Sequence, residues 1–125
     1  MLLAQLGIDT QARKRTYVVL ARPETCFGCL SPTLEALGLV VQGRPQEAQA
    51  VVALFGDSKP AWAEKPLPGL GLANVPAHTR SLLPLEGLPQ LLVFGQKGKL
   101  LAAQLLPPTR VSLEHLESFF FLEEP

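Results

Sequence analysis

The sequence predicts an α/β fold: a central mixed β-sheet, made of a βαβ unit plus a C-terminal β-hairpin and helix, flanked by helices. Three observations predict it. The apolar run TYVVLA at 16–21 is followed by a helical stretch and then by a second apolar run, AVVALFGD, at 50–57. Two further apolar runs, at 90–94 and 99–105, flank the turn signal GQKG. The final stretch, TRVSLEHLESFFFLEE, places Val111, Leu113, Leu116, Phe119 and Phe120 at near-helical spacing.

The chain of 125 residues fits one domain with a single core. That domain spans 1–125, with its core at about 16–122 and an insertion-like irregular segment at 58–87. With 47% apolar and 18% charged residues the composition is globular and not disordered. Lys plus Arg equals Asp plus Glu, which argues against a nucleic-acid surface or an anionic membrane partner. The basic run Arg13–Arg15 reads as a solvated approach to the first strand. No segment approaches the ~18 uninterrupted apolar residues of a membrane span. The N-terminal stretch lacks a basic region ahead of its apolar residues, so the default expectation is a cytoplasmic protein, or an extracytoplasmic one if a leader has been trimmed away. Twelve prolines and a single asparagine, Asn74, fit a thermostable protein, or a base-composition bias.

Residues 16–21 are β-branched, aromatic and apolar and read as a buried strand. Arg22-Pro23-Glu24 breaks it. The helix that follows has two readings. It begins with Ser31 as N-cap and Pro32 at the first position, or earlier at Cys26 with Pro32 in its second turn. Gly38 or Gly43 marks its end, and 42–46 is a loop. The second strand, 50–57, runs parallel to the first through a right-handed crossover. Five prolines between Ser58 and Gly87 exclude long regular elements there. Short helical turns near Ala61–Glu64 and Thr79–Leu83 and a short strand at Leu72–Val75 are expected. The hairpin strands are Gln90–Phe94 and Lys99–Leu105, and Pro107–Pro108 stops the second.

Both cysteines, Cys26 and Cys29, lie between the first strand and the helix. A Cys-x-x-Cys pair is a redox switch, half of a metal site, a structural staple or a chance spacing, and the spacing alone does not decide among them. Closing so small a loop would stabilise the chain by only about 1.9 kcal/mol, so a purely structural role is a poor reason for it. A cysteine at a helix N-terminus faces unpaired backbone N–H groups and the positive end of the helix dipole, and both favour the reactive thiolate. Cys26 is therefore the expected nucleophile and Cys29, one turn further in, the resolving thiol. Gly28 leaves the backbone free beside Cys29. Phe27 offers an apolar surface for a partner. Glu24 opposes thiolate formation if its carboxylate lies close.

Taken together, the strand running into Cys-x-x-Cys, the helix after it, the GLPQLLVFGQKGKLL hairpin and the SLEHLESFF helix resemble the thioredoxin-like superfamily. The long segment between Asp57 and Gly87 is similar to its extended branch of TlpA-, ResA- and MauD-like thiol–disulfide proteins, which carry an insertion there. The resemblance implies a thiol–disulfide oxidoreductase that exchanges dithiol and disulfide with protein substrates, with no cofactor beyond a redox-active Cys26–Cys29 disulfide. It implies a cis Pro89 shaping the site, and Leu88 pairing with a substrate strand. It implies protein thiols and disulfides as partners, plus a reductase or oxidase that recycles the pair. Three positions depart from the family pattern: Thr25 replaces a common Trp, Leu20 stands where thioredoxins bury an acid, and Pro32 falls only three residues after Cys29. The missing Trp and the missing buried acid favour a rival, a binding or adaptor module whose cysteines are not turned over. A second rival is a copper carrier in which His78 joins the two cysteines. Two cysteines and two histidines are too scattered for structural zinc. His115 is expected on a helix face, Trp62 as a lid over the core, and one of Phe119–Phe121 in solvent.

Overall fold

A strand with no exposed residue must have neighbours on both edges and layers on both faces. β1 (Arg15–Ala21) is such a strand, buried at every position. The computed structural model describes residues 8–22, 27–56, 68–76, 89–106 and 112–122, with the side chains of Phe27 and Cys29 outside that description. β1 pairs in parallel with β2 (Ala48–Phe55) from Arg15 opposite Ala48 to Ala21 opposite Leu54. On its other edge it pairs antiparallel with β4 (Gln90–Gly95), where Arg15 faces Gly95 and Leu20 faces Gln90. β3 (Gly71–Val75) adds in parallel to β2, and β5 (Leu100–Leu105) antiparallel to β4, giving the order β3-β2-β1-β4-β5. The short strand expected at 72–75 is thus an edge strand of the main sheet. The helical turns expected at 61–64 and 79–83, and Trp62, lie outside the described residues.

The hairpin forms where GQKG predicts it. The Gly95 N–H donates to the Lys99 carbonyl at 2.9 Å, and Gly98 takes φ +85°, a left-handed turn position that glycine adopts without steric cost. A β-bulge follows at Val93–Phe94, where the β5 register skips a residue.

α1 (Phe27–Gly43) settles the two readings of the helix start. It begins ahead of Ser31, so Ser31 is not its N-cap, and Pro32 lies inside it. Proline has no N–H to give the Gly28 carbonyl four residues back. Both residues are exposed, which leaves that carbonyl open to water. The buried side of α1, with Leu30, Leu34, Leu37 and Val40, packs on Tyr17, Val19, Leu91 and Val93. α2 (Leu113–Ser118) packs on the same face, capped by Ser112, whose Oγ accepts the His115 N–H at 3.1 Å. It is shorter than its periodicity predicts, because the chain tightens into a 3-10 helix at Phe119–Phe121. Phe119 and Phe120 enter the core and Phe121 is 81% exposed, the division expected of three consecutive phenylalanines. Val18, Leu20, Ala53, Phe55, Val75, Leu92 and Phe94 form a second cluster on the opposite face.

One expectation fails at the first strand. Arg15 is not part of a solvated run but is 3% exposed. Its guanidinium donates through Nε to the Phe119 carbonyl at 2.6 Å, through Nη1 to the Lys14 carbonyl at 2.7 Å and through Nη2 to the Leu122 carbonyl. The carbonyls at the end of the 3-10 helix need donors, and a planar, multi-donor cation supplies them where a lysine would supply one point contact.

Candidate active site

The strand directions bring three chain segments to one edge of the sheet. β1 and β2 both end there, β1 at Ala21 and β2 at Phe55, and β4 starts there at Gln90. α1 begins at Phe27, six residues after the end of β1. Cys29 is therefore the third residue of the helix, inside the first turn, whose N–H groups have no intrahelical acceptor. Leu30, directly after it, is fully buried in a cluster with Ala21 and Leu91, which fixes this end of the helix against the ends of β1 and β4. Gly28 is exposed. Cys26 precedes the helix and lies outside the described residues, as does Leu88.

Pro89 is buried at the same edge, immediately before β4. Its carbonyl accepts the Leu106 N–H at 3.1 Å, which ties the start of β4 to the end of β5. Two of the expected site positions, the backbone of Cys29 and Pro89, thus share one sheet edge. The edge of an open α/β sheet where parallel strands end is where such folds place their chemistry.

Two residues of this edge were not singled out from the sequence. Gln90 follows Pro89, is fully buried and pairs with Leu20. Its Oε1 accepts no hydrogen bond from the described residues, although the residue has other partners. The signal for it was a polar residue opening an otherwise apolar strand, QLLVFG. Arg22 is exposed immediately after β1. Leu20, where the resembled family buries an acid, is itself fully buried among Val18, Ala53 and Leu92, so no carboxylate stands there.

The expected helix-face position of His115 is borne out: it is exposed, with Nε2 2.9 Å from Gln104 Oε1 and its ring edge-on to Phe119 at 5.1 Å. Through Gln104 it lies beside the end of β5, which the Pro89 carbonyl ties to the same sheet edge. Among the described residues no three His, Cys, Asp or Glu side chains cluster as metal ligands. His78, the third ligand of the copper reading, lies outside those residues. An apolar groove of about 410 Å³ runs along α1 from Ser31 to Gln42, closed by Pro68 and Leu70. It starts two residues beyond Cys29.

Parallel β1–α1–β2, an antiparallel β4–β5 hairpin and a closing helix around a mixed five-stranded sheet make one pattern. Structures of known proteins decide which. The pneumococcal exposed lipoprotein thioredoxin of Streptococcus pneumoniae superposes with a TM-score of 0.69, at 11% identity, over 90% of this chain and 87% of that one. The fold is thioredoxin-like. A secreted Mycobacterium tuberculosis disulfide oxidoreductase described as homologous to DsbE matches at a TM-score of 0.58 and 13% identity, over 88% and 83% of the two chains. A thiol–disulfide isomerase from Corynebacterium glutamicum matches at 0.63 and 15%, over 91% and 83%. No protein-family model matches the chain, and no curated protein matches it in sequence. In the described residues no helix is long and apolar enough to cross a membrane.

Proposed function

We infer that this protein is a thiol–disulfide oxidoreductase in which Cys26 attacks and Cys29 resolves. The observation that carries the reading is the start of α1 at Phe27, on the sheet edge that also holds Pro89. Cys29 is the third residue of that helix and Cys26 precedes it in the sequence, and orphan N–H groups and the helix dipole at a helix start favour a thiolate, which supports the reading. The Cys26 thiolate attacks one sulfur of a substrate disulfide, forms a mixed disulfide and expels a thiolate that takes up a proton. The Cys29 thiolate then attacks the Cys26 sulfur, closes the Cys26–Cys29 disulfide and releases the second substrate thiol. Two electrons pass from the pair to the substrate, and a dithiol reductase restores the pair. The reverse sequence, with an oxidase as partner, forms disulfides instead. A cis Pro89 with Leu88 turned toward the cysteines would offer backbone groups to an extended substrate segment, with Phe27 as an apolar contact. The exposed-lipoprotein and secreted neighbours support an extracytoplasmic setting over the cytoplasmic default.

A second reading, a binding module with idle cysteines, is favoured by the apolar Leu20. That residue supplies no buried proton acceptor for the resolving thiol. One substitution separates the two. Cys26→Ser is expected to bring dithiothreitol-driven reduction of a disulfide substrate down to the uncatalysed rate while leaving the melting temperature unchanged. Exchange that persists in the variant contradicts the enzymatic reading.

A further inference from the structure

The solvent side of α1 forms a continuous track that begins at the cysteine edge. Exposed positions Gly28, Pro32, Glu35, Leu39 and Gln42 recur at alternating steps of four and three, which puts them on one helix face. Glu35 is the one charged residue of the 17 in this helix, and depletion of charge is a compositional mark of an interface core. The apolar groove of about 410 Å³ lies along this face, between α1 and the pair Pro68 and Leu70. Its volume falls within the range of about 300–1,000 Å³ typical of ligand clefts. From Ser31 to Gln42 the groove runs about 16 Å at ~1.5 Å per helical residue, the length of about five residues of extended chain.

Backbone contact builds the wall of the groove. A Cβ on Gly38 would stand 2.7 Å from the Pro68 carbonyl oxygen, and one on Gly69, at φ +77°, 3.2 Å from the Gly38 carbonyl oxygen. Two glycines thus seat the 68–70 turn directly on the helix, and the cleft is formed before anything enters it. Leu39 at its mouth is 58% exposed. At the cysteine end the same face offers a hydrogen-bond acceptor. Pro32 has no N–H for the Gly28 carbonyl, and both residues are exposed. An acceptor at one end and an apolar cleft beyond it match an extended polypeptide, which carries N–H donors along its backbone and apolar side chains beside them. A hydrocarbon ligand would fill the cleft and leave the carbonyl to water.

We propose that this face of α1 docks the extended, apolar segment that flanks a protein substrate's disulfide, with an N–H of that segment on the Gly28 carbonyl and apolar side chains in the groove beside Leu39. This role rests on the oxidoreductase reading and names its substrate class, disulfides set in apolar polypeptide segments. The test titrates the full 125-residue chain with a synthetic peptide in which leucines and valines flank a serine in place of cysteine, while amide shifts are followed by NMR. Saturable shifts across residues 28–42 and 68–70 are expected. A counterpart peptide with asparagines and glutamines at the flanking positions should bind at least about five-fold more weakly. Leu39→Ser, and Pro32→Ala, which returns an N–H to the Gly28 carbonyl, should each weaken the apolar peptide at least about three-fold. Peptide binding needs no thiol, and exchange of the reduced protein with oxidised glutathione needs no groove and should be unchanged in Leu39→Ser, so the two readings fail separately. No saturable shift, equal affinity for the two peptides, or undiminished affinity in either variant would each overturn the proposal.

Discussion

At the residue scale, Tyr17 joins sheet and closing helix through one side chain. It is fully buried, its hydroxyl donates to the Leu116 carbonyl at 2.7 Å, and its ring lies 6.4 Å from those of Phe119 and Phe120. Burial pushes its phenol far above the usual range; Arg15 and Arg44 pull it back and Glu117 pushes it further up. The folded-state value is thus raised above the unfolded one. Its contribution is fully present below the unfolded value of about 10 and is lost as the pH rises above it, because the unfolded chain releases the proton first. Tyr17→Phe should cost about 1–2 kcal/mol at neutral pH, since it orphans a buried carbonyl. It should also remove this share of the alkaline loss, so the gap to the parent narrows above a pH of about 10. Denaturant titrations of both proteins at neutral and alkaline pH check this, and a gap that widens contradicts it. Gln90 shows a limit of reading at this scale. A polar residue before an apolar run looks like a strand end in solvent, and its burial follows only from its partners, Leu20 on β1 and Leu105 on β5.

At the element scale, α1 shows what local signals misplace. Ser31-Pro32 has the form of an N-cap and first helical residue, yet the helix starts ahead of it and carries Pro32 in its second turn. The missing bond falls on an exposed carbonyl, where water replaces it at little cost, and the packing of Leu30 against Ala21 and Leu91 holds the first turn in place. The strands were legible because continuous apolar runs bounded by turn residues leave few alternatives. The partners of Arg15 were not, since Phe119 and Leu122 lie 104 and 107 residues away. Replacing Arg15 with Met should cost about 2–4 kcal/mol, because it strips donors from buried carbonyls, and loosen the Phe119–Phe121 segment first. Hydrogen exchange across α2 checks that order of opening; uniform loss across the sheet contradicts it. Further along α1, a Cβ at Gly38 would stand 2.7 Å from the Pro68 carbonyl oxygen. Gly38→Ala should lower the melting temperature despite the gain of about 1 kcal/mol in helix propensity, because backbone meets backbone there. A variant that melts higher than the parent would show that this contact yields.

At the scale of the whole molecule, the strand directions decide which residues share an end of the sheet. The end where β1 and β2 finish gathers the helix start and Pro89, and the end where β1 begins gathers Arg15 and its lysines. The order of elements was legible from the chain, and with it the edge on which the cysteines had to fall. The irregular stretch at 58–87 was less legible, because closely spaced prolines erase periodicity. Within it the strand expected at 72–75 is found at Gly71–Val75, and its place beside β2 is a matter of sheet pairing. The central claim is that the cysteine pair turns over. The measurement that tests it most directly is the reduction potential of Cys26–Cys29, obtained by equilibration in glutathione or dithiothreitol buffers with thiol trapping. A pair that turns over should show a value in the range of about −120 to −270 mV with rapid exchange. A value below about −300 mV with slow exchange, or no intramolecular bridge, would contradict the claim.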